Sequence, residues 1–98
     1  MKILVCGGRD FSDYSLVREV LGRFEGPVQL AHGGSRGADS LAGAYAIDRG
    51  WLVGRHTGGW LQTLTTFAPD VVVAFPGAEA MACIARKAGV EVLEVRTT

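Results

Sequence analysis

The feature that most constrains this chain is a regular alternation between two hydrophobic periods. Five short apolar runs recur along it: Ile3–Cys6, Val28–His32, Trp51–Arg55, Val71–Phe75 and Val90–Val95. They are rich in β-branched residues and bounded by Gly, Pro, Asp or Arg, as strands are. The first four are nearly continuous apolar stretches, which predicts strands covered on both faces, as in a parallel sheet. In the last, Glu91 and Glu94 fall among Val90, Val92 and Val95, which predicts an edge strand.

Between these runs the spacing becomes helical. Ser12 reads as an N-cap, followed by the stripe Leu16, Val17, Val20, Leu21 and Phe24 and a stop at Gly26-Pro27. From about Ala38 to Arg49, Leu41, Ala42, Tyr45 and Ala46 share a face, and Gly50 suits the position after the last turn. Over Gly59–Phe67 the stripe is Trp60, Leu61, Leu64 and Phe67, in a stretch whose threonines weaken helix propensity. Before Gly89 the stripe is Ala80, Met81, Ile84 and Ala85.

Strand–helix alternation of this kind predicts an α/β fold: a doubly wound, mostly parallel five-stranded sheet of order 3-2-1-4-5 with helices on both faces. Its switch point lies between strands one and four, where such sheets take ligands at their carboxyl edge. The 98 residues are enough for one domain, 1–98. A hydrophobic content of 48% with zero net charge excludes disorder. Zero net charge also argues against a duplex nucleic acid partner, which needs a basic surplus. No apolar run approaches the roughly 18 residues of a membrane span. The opening MKILVCGGRD lacks the pattern of a signal peptide. Cys6 and Cys83 read as two buried reduced thiols, and the expected location is cytoplasmic.

Chemistry concentrates in three glycine-rich turns at strand ends. The first is Gly7-Gly8-Arg9-Asp10. The second runs from His32 through Gly33, Gly34, Ser35, Arg36 and Gly37 to Ala38 and Asp39. The third is Pro76-Gly77-Ala78-Glu79. Glycines let backbone N–H groups approach an anion, and the helix that follows adds partial positive charge. Arg9 and Arg36 add bidentate donors suited to phosphate. His32, Ser35, Asp10, Asp39 and Glu79 are the polar groups for a sugar or a base edge. The expected ligand is phosphorylated and nucleotide-like. Neither GxGxxG nor GKS/GKT occurs, so dinucleotide and P-loop motifs are absent. The two His and two Cys lack metal-ligand spacing, and no cofactor is expected. Trp51 and Trp60 read as core or interface residues. Arg55-His56 ends strand three, peripheral to the switch point. The Trp60-Leu61-Leu64-Phe67 stripe is the candidate interface of a homodimer or higher homo-oligomer.

At ILVCGGRD (Ile3–Asp10), HGGSRGAD (His32–Asp39), Trp51 and AFPG (Ala74–Gly77) the chain resembles the YspA-like branch of the SLOG superfamily. That superfamily is named for the Smf/DprA proteins and the LOG cytokinin-activating enzymes. The resemblance spans essentially the whole chain. It implies a Rossmann-like fold whose glycine turns bind nucleotides or nucleotide-derived ligands. Some such relatives hydrolyse nucleoside 5′-monophosphates at the N-glycosidic bond. Others bind single-stranded DNA or sense NAD-derived signals. Enzymatic relatives carry a longer PGGxGT loop with a catalytic Glu, and an Arg in the helix before strand four. Here Pro76-Gly77 runs straight into Ala78-Glu79, and no charged residue lies between His56 and Asp70. Only Glu79 and Asp39 remain as candidates for an acid–base group. The reading is therefore a sensor or sequestering protein for a nucleotide-derived signal such as an ADP-ribose derivative. Phosphoribohydrolase and single-strand binder are the alternatives.

Overall fold

Among the described residues, strands and helices alternate strictly: β1 (Lys2–Cys6), α1 (Tyr14–Leu21), β2 (Gln29–His32), α2 (Ala38–Asp48), β3 (Leu52–Arg55), α3 (Trp60–Phe67), β4 (Val71–Ala74), α4 (Glu79–Lys87) and β5 (Glu91–Glu94). The structure is a computed structural model and describes residues 1–56 and 58–96. The five strands form one sheet of order β3-β2-β1-β4-β5, and every pairing is parallel. This is the α/β, Rossmann-like arrangement the alternation predicts.

The pleat divides the core in two. Ile3, Val5, Leu30, Val73 and Phe75 face α1 and α2. Leu4, Cys6, Ala31, Val72 and Ala74 face α3 and α4. A strand buried on both faces needs apolar side chains at every position, which is why β1 and β4 lack alternation. The same reading fails for β3. It is an edge strand, and Leu52 is 71% exposed, so its apolar run reflects incomplete cover rather than burial on both sides.

Helix ends also depart from expectation. The N-cap of α1 is Asp13, not Ser12; its Oδ1 accepts from the Leu16 N–H at 3.1 Å. The helix stops at Gly22, four residues before Gly26, and Phe24 packs on the core from the turn beyond. In α4 the buried positions are Met81, Ala82 and Ala85, while Ala80 faces solvent. Half of the α3 stripe is spent inside the molecule. Leu64 and Phe67 are buried, leaving Trp60 and Leu61 exposed. Trp51 is buried, edge-on to Tyr45.

The cysteines also differ from one another. Cys6 is buried, and burial, reinforced by the nearby Asp39 charge, pushes its thiol up to about 12. Cys83 is exposed, contrary to its expected burial, because it lies on the outer face of α4. No helix among the described residues is long and apolar enough to cross a membrane.

Candidate functional site

All three glycine turns lie at the carboxyl edge of the sheet, and they touch. The Gly8 N–H donates to the Pro76 carbonyl at 2.8 Å, and the Ala38 N–H reaches the Gly8 carbonyl at 3.4 Å. The first turn is thus clamped between the other two. A Cβ on Gly77 would lie 2.6 Å from Gly8 Cα, and one on Gly7 would overlap Ala38. Gly37 has φ +77°, and a Cβ there would strike the carbonyls of Gly8 and Arg9. Gly37 and Gly77 are required first by backbone packing on backbone, and Gly7 by the Ala38 and Phe75 side chains set against it. At the switch point between β1 and β4 the turns close on each other, roofed on one side by Phe11 against Phe75, with ring centroids 5.3 Å apart. Open space lies to either side.

The second turn is organised by Asp39. This side chain is only 3% exposed, and its Oδ2 accepts from the N–H groups of Gly33 at 3.0 Å and Ser35 at 3.3 Å. Its Oδ1 has no partner among the described residues. Burial pushes the carboxyl pKa upward, and the two backbone donors and His32 pull against that shift.

His32, at the end of β2, accepts the Gly34 N–H on Nδ1 at 3.0 Å. In the neutral ring the hydrogen must then sit on Nε2. Burial pushes the His32 pKa down, opposed by Asp39 and helped by Arg55 and His56. The pairing of β2 with β3 sets Arg55 beside His32. At Gly34, φ +82°, a Cβ would lie 2.8 Å from Arg55 Cδ and Cζ. Glycine there lets the Arg55 side chain lie across the turn.

Three clefts open at this edge. Arg9, Asp10 and Gly37 line one, beside Phe11. His32, Gly34, Ser35, Arg36 and Arg55 line a second, between α2 and β3. Ser40 borders both. Pro76 and Glu79 line a third, with Glu94 and Arg96 of the β5 end. Gly77 closes on Gly8 and lines none of them. In the third cleft Arg86 and Arg96 donate to Glu94 at 3.1 and 3.3 Å and hold its pKa below the usual carboxylate range. No cleft among the described residues is lined by both Asp39 and Glu79.

Arg9 shares its cleft with Asp10, whereas Arg36 and Arg55 share one that no acidic residue lines. Arg9, Arg36 and Arg55 are exposed, and none forms a salt bridge among the described residues. α2 begins between them with Gly37 as its N-cap and no side-chain hydrogen bond to its first turn.

Arg55, at the end of edge strand β3, is peripheral to the β1/β4 switch point, as expected. In a 3-2-1-4-5 sheet, however, β3 is the direct neighbour of β2, so their terminal residues must be adjacent. That signal was present in the strand order. Ser40 and Gly43, in the first and second turns of α2, also line the second cleft, which their sequence context does not reveal.

No curated protein and no solved structure matches the chain. Residues 1–62 match the model of the YspA, cpYpsA-related SLOG family. That stretch runs from β1 into the opening of α3 and contains the first and second glycine turns together with Arg9, Arg36, Asp39 and Arg55. Covering more than half of the sequence, it makes the chain a member of the YspA, cpYpsA-related SLOG family, a membership that suggests nucleotide-related binding or processing.

Proposed function

We propose that the chain binds a phosphorylated, nucleotide-derived small molecule at its strand-end turns. In this reading it is a sensor or sequestering protein for a signal such as an ADP-ribose derivative. The observation that carries the reading is the trio of exposed guanidiniums, Arg9, Arg36 and Arg55, without a salt bridge among the described residues, around the start of α2, which has no side-chain cap. These three present donors and positive potential to solvent at the helix end that favours anions.

The carboxylates support binding rather than turnover. Asp39 is occupied in holding the turn, and Glu79 stands in a different cleft from the three arginines. Hydrolysis of a glycosidic bond needs a carboxylate beside the ribose, within reach of the site that holds the phosphate.

Thermal shift with AMP, ADP-ribose and cyclic ADP-ribose tests the reading. A ligand at a hundred times its Kd stabilises the fold by about 2.7 kcal/mol, which raises Tm by roughly 10–20 °C in a domain of this size. No shift with any of them at saturating concentration overturns it. Chromatography after incubation with nucleoside monophosphates is expected to find no free base above a Glu79→Gln control. We further infer a cytoplasmic homo-oligomer, with Trp60 and Leu61 as the exposed remainder of the α3 stripe. Light scattering at the monomer mass would contradict it.

A further inference from the structure

The cleft between α2 and β3 differs from the other two at this edge. It measures about 470 Å³, within the size range of small-molecule sites. None of its lining residues is acidic. Every side chain that reaches it with a polar group can donate: the guanidiniums of Arg36 and Arg55, the hydroxyls of Ser35 and Ser40, and the imidazole of His32. His32 is fixed in this role, because the Gly34 N–H occupies its Nδ1 and leaves Nε2–H as the free donor. Gly43 gives that nitrogen room; a Cβ there would lie 3.1 Å from it. The remaining wall is apolar, formed by Ala44, Ile47 and Val53, with Ile47 69% exposed.

A pocket with donors at one end and an apolar wall at the other suits an anion joined to a flat, poorly hydrated group. Two guanidiniums match the oxygens of a phosphate better than a single carboxylate. We propose that this cleft, rather than the crevice at the β1/β4 switch point, seats the phosphate of the nucleotide ligand, clamped between Arg36 and Arg55, with the base against Ile47 and Val53. The proposal rests on the nucleotide-binding reading and deepens it. It makes Arg55 a ligand-binding residue and Val53 a determinant of which ligands fit. Gly34 is then needed for a functional reason as well, since any side chain there would displace the Arg55 arm from the turn.

Isothermal titration of AMP, ribose 5-phosphate and inorganic phosphate into the intact chain tests this, with Arg55→Ala, Arg9→Ala and Val53→Asp alongside. Arg55 and Val53 are solvent-facing residues of an edge strand, so these variants retain the fold, which circular dichroism verifies. The expected order of affinity is AMP, then ribose 5-phosphate, then phosphate. Arg55→Ala is expected to weaken AMP about tenfold or more, the scale of a lost charge-assisted contact. Val53→Asp, which sets a carboxylate in the wall, is expected to weaken it comparably, and Arg9→Ala, whose guanidinium contributes its charge from the adjoining cleft, to weaken it by less than Arg55→Ala does. AMP affinity unchanged in Arg55→Ala but lost in Arg9→Ala overturns this proposal and leaves the nucleotide reading standing. Equal affinity for AMP and inorganic phosphate removes the base from the apolar wall and also overturns it. No binding of any of the three by the unaltered chain overturns both.

Discussion

Replacing Gly37 by alanine perturbs the point where the second turn meets the first. Two costs add. The backbone at φ +77°, ψ −128° lies where residues other than glycine are strained, at roughly 1–3 kcal/mol. The new Cβ would also overlap the carbonyls of Gly8 and Arg9, and forcing atoms into packed space costs about 1–3 kcal/mol more. The sum, roughly 2–6 kcal/mol, is a large part of the about 5–15 kcal/mol that holds a domain of this size together. Gly50 provides the control. Its φ is +73°, yet a Cβ there meets nothing within 4 Å, so Gly50→Ala carries only the conformational part, roughly 1–2 kcal/mol. At roughly 4–8 °C of Tm per kcal/mol, Gly50→Ala is expected to lose about 5–15 °C. Gly37→Ala is expected to lose clearly more, or to fail to fold. Urea unfolding of the two variants side by side measures the difference. Equal losses would refute the claim that the turns are locked together by backbone contact.

Ala68, at φ +50° and ψ +64°, caps α3 in the left-handed region, so Ala68→Gly is expected to stabilise the fold by up to about 1 kcal/mol in urea melts. A thiol reagent at pH 8 is expected to modify Cys83 quickly and Cys6 only on unfolding, because Cys6 is buried and its thiol is pushed up to about 12. The His32 pKa is lowered in the folded state, so the unfolded chain binds the proton first. Stability is therefore lost as pH falls through the ordinary histidine value of 6.5, and Tm measured from pH 7 to 5 in His32→Gln should fall less steeply than in the native chain. Asp39 has the opposite sign. Its raised pKa gives stability that is full below 3.8 and lost as pH rises through the folded value. Hence at pH 7 Asp39→Asn, which keeps an acceptor for Gly33 and Ser35, is expected to be at least as stable as the native chain. Asp39→Ala, which strands both N–H groups, is expected to lose about 2–4 kcal/mol.

The sheet was legible because β4, and β1 from Ile3 onward, are apolar at every position, which in water has few explanations other than cover on both faces. The run at β3 looks the same in sequence, and its exposure follows only from strand order, a property of the whole sheet. Helix ends were read to within a few residues. Ser12 and Asp13 are equally good caps, and only the Asp13 bond to Leu16 decides between them. At the candidate site the glycine turns were legible as a group, but not their contact with one another. A glycine needed for approach to a ligand and one needed for approach to another backbone leave the same mark in a sequence. Asp39 illustrates the same limit: a first-turn acid and a buried turn organiser are the same letter. Arg55 reads as peripheral in the sequence because its place across the second turn depends on a neighbour 21 residues away, Gly34, whose missing side chain makes room for it.

The claim that the carboxyl edge near α2 receives a nucleotide phosphate can be read residue by residue. An amide ¹⁵N–¹H spectrum of the labelled chain, titrated with AMP to millimolar concentration, resolves the turns individually. Saturable shifts are expected on Gly33, Gly34, Ser35, Arg36 and Ser40, with the amides of the opposite edge, around Gly26 and Gly50, unmoved. A spectrum that does not change, or one whose shifts fall at that opposite edge, would contradict it.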